Sequence, residues 1–217
     1  LVFYLRSGQS LMIHLRLTGN LDFSLDSTKV ERYTRHTFGI DNNFEMRLRD
    51  MRKFATISLA STQTNKLQHL GQDPLDASFT AANLEDLLHS HRASIKSLLL
   101  NQSIIAGIGN IYSDEILFEC KIHPSTPTSS IPTKMVQHLH KTMITILTKA
   151  TESLTEQIVR NKTTPQWNTS SPSFSMPRKA GLPCPECENP VKRITLSGRA
   201  TYFCVHCQST NEAVNRS

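Results

Sequence analysis

Short apolar runs separated by turn residues fill the first part of the chain, and this pattern predicts β-structure over residues 1–62. Two runs, Leu1–Leu5 and Leu11–Leu15, flank Ser7-Gly8-Gln9, an arrangement typical of a β-hairpin. Asp41-Asn42-Asn43 is a further turn signal. We expect a meander, or a sandwich that lacks its first strands. The other predicted strands are Thr34–Ile40, Phe44–Arg49 and Phe54–Leu59.

The apolar spacing becomes helical from Thr80 to Arg160, after a polar linker at Ser61–Asn65. The longest amphipathic stretch, Thr133–Ile158, follows Pro132, which suits the start of a helix. Its apolar side consists of Met135, Leu139, Met143, Ile146 and Leu147. Shorter helical groupings are Leu84, Leu87 and Leu88, then Ile95, Leu98 and Leu99, and less strictly Ile111, Ile116 and Leu117.

Composition restricts the class of protein. The 217 residues have a formal net charge of +6 and a pI near 9.2, which favours a polyanionic partner. The hydrophobic fraction of 38% supports a core, but no run of 18 apolar residues occurs, so we expect no membrane span. No signal-peptide pattern is present, and we expect a cytoplasmic protein. The first residue is Leu1 and not Met, and Leu1–Leu5 has the pattern of the middle of a strand. We therefore expect the chain to be a fragment or a truncated gene product, and we expect the missing part to bear on the chemistry.

Four of the five cysteines lie within the last 34 residues, in two C-x-x-C pairs separated by 16 residues. Each pair forms a tight turn that directs two thiolates to one point, and two such turns make a closed tetrahedral zinc site. The pattern is unlike a secreted disulfide framework and indicates a reducing compartment. Two unrelated redox motifs are the alternative. The predicted ligands of one structural zinc ion are Cys184, Cys187, Cys204 and Cys207.

The segment between the two cysteine pairs predicts a β-hairpin. Val191–Leu196 and Arg199–Phe203 flank Ser197-Gly198, a two-residue turn, so Arg199 lies at the tip. His206 is predicted to be exposed and not a ligand. Cys120, on an apolar helix face, is predicted to be a small core residue.

Two further segments narrow the choice among zinc-finger proteins. They are Ile105–Glu115, and Gly198–Cys204 with the following Cys207-Gln208. Together with the cysteine spacing they resemble the formamidopyrimidine-DNA glycosylase and endonuclease VIII family. The resemblance extends in order over nearly the whole chain. It includes His14–Gly19, Arg49–Phe54, Leu70–Leu75 and Ile95-Lys96.

The resemblance implies an α+β protein with a partial β-sandwich (residues 1–62), a helix-two-turn-helix domain (66–160), a loop (161–177) and a four-cysteine zinc finger (178–210). Such enzymes flip a damaged base out of duplex DNA, cleave its glycosidic bond and nick the abasic strand by elimination. We therefore expect a monomeric base-excision repair glycosylase with abasic-site lyase activity on oxidised purines, whose partner is damaged double-stranded DNA.

The resemblance also implies roles for single residues. Arg199 matches the finger arginine, which contacts phosphates beside the lesion and assists the second elimination step; a solvent-facing arginine is the alternative. Arg52 and Phe54 match the pair that fills the gap left by the flipped base, although Phe54 is equally typical of sheet core. Leu17 stands where the family usually has Met. His36 matches a position that contacts DNA.

The Gly107-Ile108-Gly109-Asn110 turn separates two helical stretches. Glycines let a phosphate approach the backbone N–H groups where the next helix begins, and Asn110 can donate to a phosphate oxygen. A tight helix–helix turn is the alternative. Lys96, one helix earlier, is predicted to reach the same DNA backbone. His91 is a weaker DNA-binding candidate, since it also fits a solvated helix end.

The sequence departs from the family at several places. The family's nucleophile, an N-terminal proline amine, and the glutamate and lysine that assist it have no match here. Met51, Ala55 and Met176-Pro177-Arg178 also differ from the usual residues. We therefore expect this chain to bind DNA with little or no glycosylase activity. The alternatives are a non-catalytic binder of damaged or abasic DNA, and a zinc module for protein contacts.

Overall fold

The computed structural model describes residues 1–40, 43–61, 69–161 and 174–209. They form two compact units of mixed strands and helices, as the predicted α+β class requires. One unit contains residues 1–61 and the end of a long helix from Leu154. The other contains residues 69–153 and 174–209. Most of the predicted linker at 61–65 and of the predicted loop at 161–177 lies outside the described residues.

Two antiparallel sheets of three strands form the first unit. One sheet has the order β1-β2-β6 and the other the order β3-β5-β4. Ile13 from the first sheet packs with Leu21, Met46 and Leu48 from the second, so the sheets share one apolar core. The strands are β1 (Val2–Tyr4), β2 (Gln9–His14), β3 (Gly19–Leu25), β4 (Thr34–Ile40), β5 (Phe44–Asp50) and β6 (Thr56–Ser61).

The predicted hairpin at the start of the chain is confirmed, because β1 and β2 pair with Tyr4 opposite Ser10 and Gly8 takes φ 77° in the turn. Strand β4 has the predicted bounds. Asp41 and Asn42 of the predicted turn lie outside the described residues, while Asn43 takes φ 62° directly before β5. Strand β3 was not predicted.

Four helices supply the apolar core of the second unit. Thr80 begins the first of them with a reciprocal capping box to Asn83. The helices are α1 (Ala81–Ser90), α2 (Ile95–Leu99), α3 (Asn110–Glu119) and α4 (Thr133–Asn161), with a 3-10 turn at Thr128–Ser130. Fully buried residues at this core include Leu84, Leu88, Ile95, Leu98, Leu99, Ile116, Leu117, Val136, Leu139 and Met143.

The last two strands, β7 (Lys192–Leu196) and β8 (Arg199–Phe203), form the predicted hairpin. Ser197 (φ 47°) and Gly198 (φ 69°) both have positive φ, the geometry of a two-residue hairpin turn that follows strand twist. Phe118 of α3 packs into the small core below this hairpin with Met176 and Val191, which joins the finger to the helices. None of the helices in the described residues is long and apolar enough to cross a membrane.

Candidate nucleic-acid interface

The four predicted cysteines converge at one point below the hairpin. Their sulfur atoms all lie within 4.8 Å of one another, with 3.8 Å between Cys184 and Cys207 and 3.4 Å between Cys187 and Cys204. Four thiolates at Zn–S bonds of about 2.3 Å are separated by about 3.8 Å in a tetrahedron, so these residues fit a structural zinc ion. His206 is exposed and is not part of the cluster.

Hydrogen bonds orient the cysteine turns. The side-chain amide of Asn189 donates to Sγ of Cys187 at 3.5 Å, and this is the largest of several hydrogen bonds that lower the pKa of Cys187 to about 6. Burial raises the pKa of Cys204 and of Cys207 in the same cluster. In the second turn, Oε1 of buried Gln208 accepts from the Cys204 amide at 3.0 Å while its Nε2 donates to the Ile122 carbonyl at 2.9 Å. Gln208 thereby ties the metal-binding turn to the helical core.

The hairpin tip is attached to the helices on both sides of Arg199. Before it, the Ser197 hydroxyl lies 2.7 Å from the hydroxyl of Ser97 in α2. After it, the Ala200 carbonyl accepts a hydrogen bond of 2.9 Å from Nδ2 of Asn110, the first residue of α3. Arg199 itself is exposed. Arg199 therefore presents an exposed guanidinium between two anchored neighbours, next to the start of α3.

The glycine turn before α3 leaves its helix N-terminus open. Gly107 takes φ 87°, and Gly109 is the N-cap residue with no side-chain hydrogen bond to the first turn. Gln102 braces this turn, since Oε1 accepts from the Gly107 amide at 2.9 Å and Nε2 donates to the Ile108 carbonyl at 2.8 Å. Uncapped N–H groups at a helix start are suited to binding an anion. Gln102 was not predicted from the sequence, because it belongs to no recognisable motif.

Lys96 does not lie on this surface, contrary to the prediction. Its side chain is fully buried and forms an ion pair with Asp114 of α3. The other Asp114 oxygen accepts from Arg178 at 2.9 Å and from the Tyr202 amide at 3.4 Å. Burial lowers the pKa of Lys96, and the adjacent Asp114 carboxylate partly offsets that shift. Lys96 therefore belongs to a buried charge network that joins helices to finger, and it is not placed to contact a phosphate.

His91 lies at the end of α1, with Nδ1 2.9 Å from the Leu87 carbonyl. This position matches the helix-end alternative, and a DNA contact from His91 stays a prediction.

Glu115 is another residue that sequence reasoning missed. Its carboxylate accepts from the amides of Ser175 and Met176 at 2.8 and 2.9 Å, and so holds the chain that leads into the finger.

In the sandwich unit, the residues predicted to fill the gap left by a flipped base, here called the wedge residues (Leu17, Arg52 and Phe54), are all exposed. Leu17 is 73% exposed and Phe54 is 49% exposed, so Phe54 is not sheet core. The guanidinium of exposed Arg52 lies 4.8 Å from the centre of the Phe54 ring, a cation–π contact. His36 is exposed in β4, where the pairing with β5 shifts register. The sandwich thus presents an aromatic ring and a guanidinium together on its surface.

Known families match three consecutive stretches of the chain. Residues 1–57 match the formamidopyrimidine-DNA glycosylase N-terminal domain, residues 70–161 the formamidopyrimidine-DNA glycosylase H2TH domain, and residues 181–210 the zinc finger found in FPG and IleRS. The formamidopyrimidine-DNA glycosylase of Desulforamulus reducens is 34% identical over 214 residues, which cover 96% of this chain and 77% of that protein. The chain belongs to the formamidopyrimidine-DNA glycosylase family.

Other members of this family have a similar level of sequence identity to the chain or a similar fold. The formamidopyrimidine-DNA glycosylase of Chloroflexus aurantiacus is 36% identical over 207 residues, covering 93% of this chain and 73% of that protein. The Lactococcus lactis enzyme, solved non-covalently bound to DNA containing an abasic site, superimposes with a TM-score of 0.80 at 28% identity over 96% of this chain and 77% of that one. The MutM (FPG) protein of Thermus thermophilus gives a TM-score of 0.79 at 29% identity, over 95% and 78%.

Proposed function

We propose that this chain binds damaged duplex DNA as part of a base-excision repair glycosylase with abasic-site lyase activity on oxidised purines. The observation that carries the proposal is the exposed Arg199, held between anchored Ser197 and Ala200 beside the open start of α3. A guanidinium fork and backbone N–H groups are the donors that DNA phosphates accept most readily. The net charge of +6 is consistent with such a partner.

A zinc ion bound by the four cysteines would fix the base of the hairpin. With four thiolates the coordination sphere is closed, so the ion contributes to folding and leaves no position for a substrate. Every contact that we propose with DNA is therefore made by the polypeptide. Arg199 binds phosphate and, as the family resemblance implies, assists elimination at the abasic site.

Leu17, Arg52 and Phe54 are proposed to fill the space that an extruded nucleotide leaves. An apolar side chain and an aromatic ring stack in place of the lost base, and the guanidinium bonds with the unpaired partner base. Their exposure supports this role, since a side chain must be free to enter the duplex. His36 and His91 remain candidate contacts with the DNA backbone.

Excision also needs an amine nucleophile, and no residue of this sequence matches the proline that the family resemblance implies. We propose that the 217-residue chain binds abasic DNA without efficient excision. Sodium borohydride trapping on abasic DNA tests this: it traps a covalent Schiff base if the chain carries a working amine. A trapped complex would show that an amine of this chain attacks the abasic sugar, and it would contradict the binding-only proposal.

The binding proposal is tested by fluorescence anisotropy, with a duplex that contains a tetrahydrofuran abasic analogue and with the intact duplex, at several salt concentrations. Arg199→Ala should reduce the slope of log affinity against log salt by about 1, since one phosphate contact is lost. Arg193→Ala is the matched control, because Arg193 is an exposed arginine on β7 of the same finger.

Equal slopes for the two variants would contradict a phosphate contact from Arg199. Wild-type affinity that is absent or independent of salt would instead favour the alternative of a zinc module for protein contacts.

A further inference from the structure

Asp50, the last residue of β5, has a buried carboxylate that accepts hydrogen bonds from residues of the neighbouring loops. The residue is 1% exposed. Its Oδ1 accepts from the Thr18 hydroxyl and from the Arg52 amide at 3.1 Å, and its Oδ2 accepts from the Ala55 amide at 2.7 Å. The Arg52 amide also lies 3.3 Å from the Thr18 hydroxyl. One carboxylate therefore joins two segments that lie more than thirty residues apart, as the sequence separation of 32 between Thr18 and Asp50 shows.

These two segments carry the three exposed side chains Leu17, Arg52 and Phe54. Each segment also contains a non-glycine residue in the left-handed region, Arg16 at φ 56° and Lys53 at φ 60°. Such conformations cost about 1–2 kcal/mol for each residue and persist where surrounding contacts hold them. The hydrogen bonds to Asp50 are contacts of that kind, because they fix backbone on both sides of Lys53.

We infer that Asp50 is a positioning residue that holds Leu17, Arg52 and Phe54 in the arrangement needed to enter the gap beside an extruded nucleotide. The inference rests on the proposed function, in which these side chains replace a displaced base. Ordering both loops before binding removes an entropy cost that the complex would otherwise bear. A carboxylate is suited to this place, since it is an acceptor at both oxygens and three donors point at it.

The chemistry of Asp50 suggests a nearly isosteric test. In Asp50→Asn one acceptor oxygen becomes an NH2 group that faces an N–H or O–H donor, so at least one donor loses its partner. Asp22→Asn is the matched control, because Asp22 is a carboxylate on neighbouring β3 that pairs with Arg49 and accepts a hydrogen bond from Asn20.

The measurement is the ratio of dissociation constants for the intact duplex and the duplex with a tetrahydrofuran abasic analogue. We expect Asp50→Asn to reduce this preference about tenfold and Asp22→Asn to leave it unchanged. The same change is then made in an Arg52→Ala/Phe54→Ala background. There Asp50→Asn should alter the ratio less than about twofold, since residues that act through one another are not additive.

A general loss of fold gives a different pattern. In that case Asp50→Asn weakens binding to both duplexes, and it does so to the same extent in the wild-type and the Arg52→Ala/Phe54→Ala backgrounds. That result, or an unchanged ratio in the first comparison, overturns the inference. A wild-type chain with no preference for the abasic duplex overturns the proposed function itself. Should circular dichroism show Asp50→Asn unfolded, Thr18→Val and Thr18→Ser decide the question: a preference reduced in Thr18→Val and kept in Thr18→Ser supports the inference, and equal ratios in both overturn it.

Discussion

Replacing Asp114 by Asn should destabilise the unit of helices and finger by several kcal/mol. Three donors converge on this carboxylate, namely the Lys96 ammonium, the Arg178 guanidinium and the Tyr202 amide. Lys96 is 0% exposed, and Asp114 is its ion-pair partner in the part of the chain that the structure describes, so neutralising Asp114 leaves a buried ammonium without that counter-charge. Removing one partner of a buried pair costs about 3–5 kcal/mol.

The melting temperature converts this free energy into an observable. For chains of this size each kcal/mol shifts the midpoint by about 2–4 °C, so Asp114→Asn should lower it by about 6–20 °C. The assay is thermal and urea unfolding of the zinc-loaded chain, followed by circular dichroism. The double variant Lys96→Met/Asp114→Leu should recover part of the loss, because it removes the buried ammonium. Recovery should be incomplete, since the Arg178 guanidinium, which is 26% exposed, and the Tyr202 amide still lose their acceptor.

A second ion pair between the helical region and the finger supplies the control. Lys121, which follows the C-cap residue Cys120 of α3, pairs with Glu186 of the first cysteine turn, and their side chains are 39% and 41% exposed. Glu186→Gln should cost about 0–1 kcal/mol, since water screens exposed pairs. If Asp114→Asn and Glu186→Gln lower the midpoint equally, burial of the network is not what stabilises this unit and the reasoning is refuted.

Three further outcomes are expected. Chelating zinc should unfold the finger, which circular dichroism and lost DNA binding would report, since structural zinc contributes about 10–16 kcal/mol to small zinc domains. Gly71→Ala should destabilise the chain, because its Cβ would lie 2.1 Å from the Ile104 carbonyl, whereas Gly39→Ala meets no atom within 4 Å; unfolding midpoints compare the two. Burial raises the pKa of Asp50, but the hydrogen bonds it accepts outweigh burial and hold that pKa below 3.8. Its stabilisation should therefore be present above pH 3.8 and lost as pH falls through the lowered pKa, so Asp50→Asn should flatten that part of an acid titration of stability.

Features that depend on neighbours in sequence were predicted well. The spacing of the cysteines predicted the four-cysteine cluster, and Ser197-Gly198 predicted the hairpin turn, because both signals reflect local backbone geometry. The long helix was predicted from Thr133, where it begins. Strand β3 was missed although Leu21, Phe23 and Leu25 alternate with polar residues, which is the period of a strand. In the structure Leu21 is buried, while Phe23 and Leu25 are exposed.

Features that depend on distant residues were not predicted. A lysine in a basic chain that resembles a DNA-binding protein suggests a phosphate contact, and nothing beside Lys96 in the sequence indicates that it is buried. Its partner Asp114 lies 18 residues later, and Arg178 lies a further 64 residues along. Helix packing brings them together, and no pattern of spacing encodes that. The same holds for Asp50, whose contact with Thr18 crosses between two strands.

The position of Arg199 depends on attachments at both ends of its hairpin. At the base, the cysteine turns close the finger, and Gln208 links the second turn to the helical core. At the tip, Ser97 and Asn110 bind the residues that flank the arginine. Metal ligation alone orders the finger internally and leaves its orientation on the helices free. The tip contacts, which come from the first residue of α3 and from α2, help to fix that orientation together with the packing of Phe118 and the Gln208 link at the base. The glycine turn before α3 and Arg199 are therefore held at a set spacing by direct hydrogen bonds, and a fixed spacing is what the proposed contacts with DNA phosphates require.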